Sequence, residues 1–171
     1  MSWGLLWRRP EIKLDIYRCD RKWWEIFKKH HYLTEDINKS AHCYIAFWEQ
    51  KPIGFSAVLA MPSGSIKNAY RGHRTVILPD FQGLGLGLGN GLSNAIAQVY
   101  IDLGGRYFSR TANPRMGEYR QNSSLWKPTS KNKVLRTDVM KSIENGKLFY
   151  NNHVTDGIRI CYSHEYIGGN K

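Results

Sequence analysis

Fourteen residues, Arg74-Thr-Val-Ile-Leu-Pro-Asp-Phe-Gln-Gly-Leu-Gly-Leu-Gly87, constrain this chain more than any other stretch. Thr75 to Leu78 is a β-branched apolar run, the pattern of a buried strand. Pro79 and Asp80 end it, and Leu88 to Tyr100 has the composition of a helix. Between them Gln82 to Gly87 spells Gln-x-x-Gly-x-Gly. Glycines between a strand and a helix let the backbone come close to a ligand. The first amides of the helix have no partner within it, and its dipole favours negative charge there. Strand, loop and helix together predict a seat for a phosphate or a diphosphate.

The seat is not a Walker A loop, because no Lys-Ser/Thr pair follows the glycines. It is a poor Rossmann fingerprint too. Asp102 lies near the expected spacing but at a helix end, and some seventy residues of other structure precede the loop. Val-x-Leu-Pro-x-Phe-Gln-Gly-x-Gly-x-Gly, from Val76 to Gly87, instead closely resembles the acetyl-CoA loop of the GNAT acyltransferase superfamily, Gln/Arg-x-x-Gly-x-Gly/Ala.

At 171 residues the chain reads as one domain, 1–171, with a real core. An apolar content of 42% with 13% aromatic residues excludes a disordered chain. No apolar run has the length of a bilayer span, and no signal-peptide pattern opens the sequence, so no membrane partner is expected. Cys19, Cys43 and Cys161 are scattered, so neither a disulfide framework nor a CxxC zinc site is indicated. A reducing cytoplasm is the expected compartment.

The net charge of +11 is unevenly placed. Residues 1–31 carry 8 basic and 4 acidic residues, net +4. Residues 106–141 carry 9 basic residues against Glu118 and Asp138, net +7, while the remaining segments balance. Two concentrated blocks suit a polyanionic partner better than they suit mere solubility. Nucleic acid, DNA ahead of tRNA, is the expected partner.

Along the chain, Glu11 to Arg18 alternates as a half-buried strand. Asp20 caps a predicted helix to His31, with Trp23, Ile26 and Phe27 on one face, and 34–40 is a short second helix or a loop. Ala41 to Trp48 and Ile53 to Ala60 form a hairpin across Glu49-Gln-Lys-Pro52. Gly104-Gly105 stops the helix after the glycine loop. Arg106 to Thr111 reads as a strand, and Asn113-Pro114 opens another helix that Trp126-Lys-Pro128 closes. Residues 129–147 carry no assignment, and Lys147 to His153 with Gly157 to Tyr166 reads as a closing antiparallel pair. The expected class is an α/β mixed sheet in the order β-α-α-β-β-β-α-β-α-β-β, which is the GNAT order.

The resemblance implies a role for each part. Val76, Ile77 and Leu78 would pair with the amide-bearing arm of acetyl-CoA, and the amides of Gln82, Gly83, Leu84, Gly85, Leu86 and Gly87 would hold its diphosphate. The central strand would splay from Arg106 to Thr111, with the thioester in the gap. Tyr119 is the implied general acid: in related enzymes a tyrosine stands about seven residues beyond an Asn, and here Asn113 to Tyr119 is six. Asn113 either contacts the cofactor or caps the helix. His31 and Tyr32, at the end of the first helix, face the acceptor side, where an imidazole can take a proton from an attacking amine.

The helix ending in His31-Tyr32, the GNAT-like core and the basic surface also look like the phage Mom-type proteins. That narrower resemblance implies carbamoylmethylation of adenine in DNA, with iron taking part, and carries over to His31, Tyr32, Tyr119 and Ser109. No metal ligands follow from the residues themselves, since neighbouring histidines on a helix point apart. The resemblance leaves room for a homodimer. Three other readings stand beside it: a GNAT toxin acetylating aminoacyl-tRNA, an acetyltransferase for a protein lysine or small amine, and a non-catalytic nucleic-acid-binding module. The intact glycine loop argues against the last, because a pure binder has no need of it.

Overall fold

The structure is a computed structural model and describes residues 12–31, 35–83, 86–134 and 160–169. Tyr32, Leu84, Gly85, the strand expected at 147–153 and most of 129–147 lie outside the described residues.

A seven-stranded sheet runs in the order β1-β2-β3-β4-β5-β7-β6. Its strands are β1 (Asp15–Cys19), β2 (His42–Trp48), β3 (Lys51–Ala60), β4 (Ala69–Ile77), β5 (Arg106–Thr111), β6 (Trp126–Pro128) and β7 (Tyr162–Tyr166). Every pairing is antiparallel except that of β4 with β5. The helices are α1 (Trp24–Phe27), α2 (Leu88–Asp102) and α3 (Pro114–Asn122). This is the mixed α/β class that the sequence predicts, with one helical segment before β2 rather than two: 35–41 forms no helix.

That first segment is flanked by 3-10 turns, Arg21–Trp23 and Lys28–His30. Asp20 caps it as expected, its carboxylate accepting from the Lys22 amide at 2.7 Å. The buried face differs from the expected one: Trp24 and Phe27 are buried, while Trp23 and Ile26 are exposed. A tighter turn holds three residues rather than 3.6, which shifts the phase of everything after it. The hairpin also turns earlier than expected, at Glu49 and Gln50, both with positive φ, so Pro52 falls inside β3 beside a bulge.

Two apolar clusters hold the sheet, one on each face. Trp24 and Phe27 pack on Ile45, Phe55, Ala57 and Val76. On the other face Leu92, Ile96 and Ala97 of α2 pack on Ile53, Val58 and Ile77. Adjacent residues of β4 thus serve opposite faces, Val76 under α1 and Ile77 under α2, as strand alternation requires.

β4 and β5 pair only from Ala69↔Arg106 to Arg71↔Phe108. Beyond that point β4 stays on β3 while β5 goes with β7, so the two parallel neighbours diverge. The splay expected between the central strands is present. A bulge sits at its start: Ala57 faces Arg74 and Val58 faces Gly72, leaving His73 as the extra residue.

Candidate active-site cleft

The divergence of β4 and β5 opens a cleft of about 500 Å³. β4 from Gly72 to Ile77 forms one wall and Ser109 to Thr111 of β5 the other. The first turn of α2 closes one end, and α3 contributes Met116 and Arg120. Because β4 meets β5 only as far as Arg71, its backbone from Gly72 onward presents an unpaired strand edge to this space.

The described part of the glycine loop leaves open space beside the cleft. Gly83 and Gly87 have φ of 73° and 63°, and a Cβ built on either meets nothing within 4 Å. Gly87 is the N-cap of α2 and supplies no side-chain cap, so the first amides of a 15-residue helix face the cleft mouth. In the same turn the amide oxygen of Asn90 is buried without a partner and borders the cleft. A coenzyme A fits this donor set: amides and a helix dipole for the diphosphate, an open strand edge and the Asn90 oxygen for the pantetheine amides. The Gln82 side chain turns inward instead and donates to the carbonyl of Ile77, tying the loop to the end of β4.

Val76, Ile77, Gln82, Gly83, Leu86, Gly87 and Asn113 all line the cleft, whereas Leu78 is not among its lining residues. Asn113 caps α3, its side chain accepting from the Met116 amide at 3.2 Å, and the residue also borders the cleft.

Tyr119 is turned towards α2. It does not line the cleft; its hydroxyl accepts from Nδ2 of Asn94 on α2 at 2.8 Å. One helical step rotates a side chain by about 100°, and the inward position belongs to Arg120, seven residues beyond Asn113. Arg120 is 1% exposed and donates from Nη1 to the Ser109 hydroxyl at 2.8 Å and from Nη2 to Ser93 at 3.0 Å. Its guanidinium lies over the Trp126 ring at 4.5 Å, and burial pushes its pKa down to about 10, so it is still charged at neutral pH. A lone arginine in a polar helix carries no sequence signal, and only the packing reveals it.

On the opposite face of β4 stand His30, His31 and the bulged His73. The Asn38 amide donates to Nε2 of His73 at 3.4 Å, which leaves the ring proton on Nδ1. Burial, then the charges of Arg74 and Arg71, hold its pKa down at about 4. His73 is thus a neutral imidazole on the α1 face of the cleft, a placement for which its position before the central strand gave no hint. His31 packs edge-on to Trp24 at 5.8 Å. Among the described residues no group of three or more His, Cys, Asp or Glu side chains could hold a metal ion, so the donor set that iron would need is not formed there. Nor is any described helix long and apolar enough to cross a membrane.

No protein-family model matches the sequence, and no curated protein matches it. Solved structures do. The ribosomal-protein-S18-alanine N-acetyltransferase from Escherichia coli superposes with a TM-score of 0.61 at 11% identity, over 93% of this chain and 97% of that one. A Bacillus subtilis acetyltransferase in complex with CoA gives 0.58 at 10% identity, over 91% and 98%. A GNAT family acetyltransferase from Elizabethkingia anophelis with acetyl-CoA bound gives 0.56 at 13%, over 90% and 97%. At such identities the likeness carries the architecture and not the substrate. The chain has the fold of the GNAT acetyltransferases.

Proposed function

We propose that this protein is an acyl-CoA-dependent acyltransferase whose acceptor is a nitrogen of nucleic acid. The observation that carries the reading is the single cleft running from the N-terminus of α2 to the point where β4 and β5 part. A bound acyl-CoA would supply an activated carbonyl and a thiol leaving group. The chain supplies the rest: amides of the glycine loop grip a diphosphate, the β4 edge aligns an extended amide arm, and the sheet walls exclude water.

On the acceptor side, His31 and His73 are the groups able to move or hold a proton. His73, with Nδ1 protonated, has one N–H left to offer an acceptor, and His31 is the proton acceptor for an attacking amine. Arg74, Arg110 and Arg115 line the same cleft, and basic side chains beside a cleft draw in a polyanion. DNA adenine is the sharpest form of this proposal, and a base in a duplex would have to leave the stack to reach the cleft. Residues 106–141, with their net charge of +7, support it.

The test is direct. Protein, radiolabelled acetyl-CoA and either DNA, bulk tRNA or a polyamine are incubated together, and the label is followed. Label in DNA, with a modified nucleoside recovered after hydrolysis, is the expected result. Label only in the polyamine would reject the nucleic-acid acceptor, and no labelled product with any acceptor would reject transfer of an acetyl group.

A further inference from the structure

Resting on the acyl-CoA reading above, we propose that Arg120 and Ser109 form an anion subsite in the cleft where β5 leaves β4, and that the acyl group carried there ends in a carboxylate. The charge on Arg120 is buried, and among the described residues nothing compensates it. Among the described residues its partners are two serine hydroxyls and the face of Trp126, all neutral. Glu118, the acidic residue of α3, faces away: it accepts from the Tyr162 hydroxyl at 2.7 Å and pairs with Lys133 at 3.6 Å. Tyr107 is not a counter-ion either, since burial pushes its phenol up to about 12. His164, across from Ser109 on β7, is fully buried, and an imidazole, neutral or protonated, brings no negative charge.

A guanidinium taken out of water without a counter-charge is costly, and removing one partner of a buried pair leaves the same penalty. Here the Nε of Arg120 is buried with no hydrogen-bond partner among the described residues. Arg120 and Ser109 nonetheless border the cleft, so an anion entering from that space meets both. Ser109 accepts from Arg120 and therefore has its own O–H to donate. Guanidinium plus hydroxyl is a fitting donor set for a carboxylate.

Which molecule brings the carboxylate follows from the faces of β4. A Cβ added to Gly72 would point at the Tyr107 hydroxyl, 3.0 Å away, and at the Ser109 hydroxyl, 3.4 Å away. Ser109 and Arg120 thus lie on the α2 and α3 side, the side of the diphosphate seat. His31 and His73 lie on the α1 side, which is left to the acceptor. An anion at Arg120 accordingly belongs to the acyl donor, a dicarboxylic acid monothioester.

Affinities of the full-length protein for coenzyme A, acetyl-CoA, malonyl-CoA and succinyl-CoA, measured by calorimetry at one ionic strength, test this. The expected result is that malonyl-CoA or succinyl-CoA binds at least tenfold tighter than acetyl-CoA. Arg120→Gln should abolish that preference while leaving coenzyme A affinity within about threefold, and Ser109→Ala should reduce it. Equal affinities in the wild-type protein, or a preference that survives in Arg120→Gln, would overturn the subsite and leave the coenzyme seat standing. Failure of coenzyme A itself to bind would remove both. Should Arg120→Gln not fold, as judged by its circular dichroism, the wild-type comparison and Ser109→Ala decide alone.

Discussion

Arg120 spans 2.8 Å to the hydroxyl of Ser109, joining α3 to β5 just where β5 leaves β4. Its other fork arm reaches Ser93 on α2, so one side chain ties two helices to the floor of the cleft. A lysine has the charge but not the fork, and it cannot satisfy two hydroxyls on different elements. Arg120→Lys should therefore leave one buried hydroxyl without its donor, at about 1–3 kcal/mol. The melting temperature should fall by roughly 3–10 °C in a domain of this size. A thermal scan showing no fall would mean the fork is not holding the helices.

Gly117 of α3 lies directly against the Tyr162 ring of β7. A Cβ there would lie 2.2 Å from the root of the Tyr162 ring, an atom that cannot swing aside alone. Gly117→Ala should destabilise the protein by about 1–3 kcal/mol through overpacking. Adding Tyr162→Ala removes the ring and should recover part of the loss, so a double-mutant cycle in denaturant shows strong coupling. Independent, additive effects would contradict this contact.

Much of the site was legible because its signals are local. Thr75 to Tyr100 combines a β-branched run, a glycine loop and a helical composition, and each follows from dihedral preferences within a few residues. Asp20 and the Asn113-Pro114 pair announce helix starts for the same reason. Phase was not legible. Two 3-10 turns around α1 moved Trp24 inward and Trp23 outward, and no spacing rule based on 3.6 residues anticipates that. The same sensitivity turned Tyr119 towards Asn94 and gave the cleft to its neighbour Arg120. The pairing partner of β7 was missed as well. Trp126–Pro128 is too short to show an alternation, yet it is β6 and lies along β7.

Gly87 combines a positive φ with open space where a side chain would stand. Gly87→Val places a β-branched group in the left-handed region, at roughly 1–2 kcal/mol, and pushes it into the diphosphate seat. Coenzyme A should bind at least tenfold more weakly, while the much smaller phosphate-free pantetheine should be affected less. Titration of both ligands checks this, and an unchanged affinity for coenzyme A would displace the seat from this turn.

His73 links the fold to pH. Its folded pKa, about 4, lies below the 6.5 of a free histidine, with burial first among the causes and Arg74, Arg71 and His31 adding to it. Between those two values the unfolded chain binds a proton that the folded chain refuses, so stability must drop as pH falls from 6.5 towards 4. Above 6.5 the ring is neutral in both states and contributes no slope. His42 and His164 are shifted in the same direction, so some decline will remain without His73. His73→Gln keeps a polar group of similar reach at the bulge and removes the titration. Urea midpoints measured from pH 7.5 to 4.5 should decline less steeply in this variant than in the wild-type protein. Parallel curves would mean that His73 takes up its proton without hindrance, and a charged imidazole rather than a neutral one would then face the acceptor.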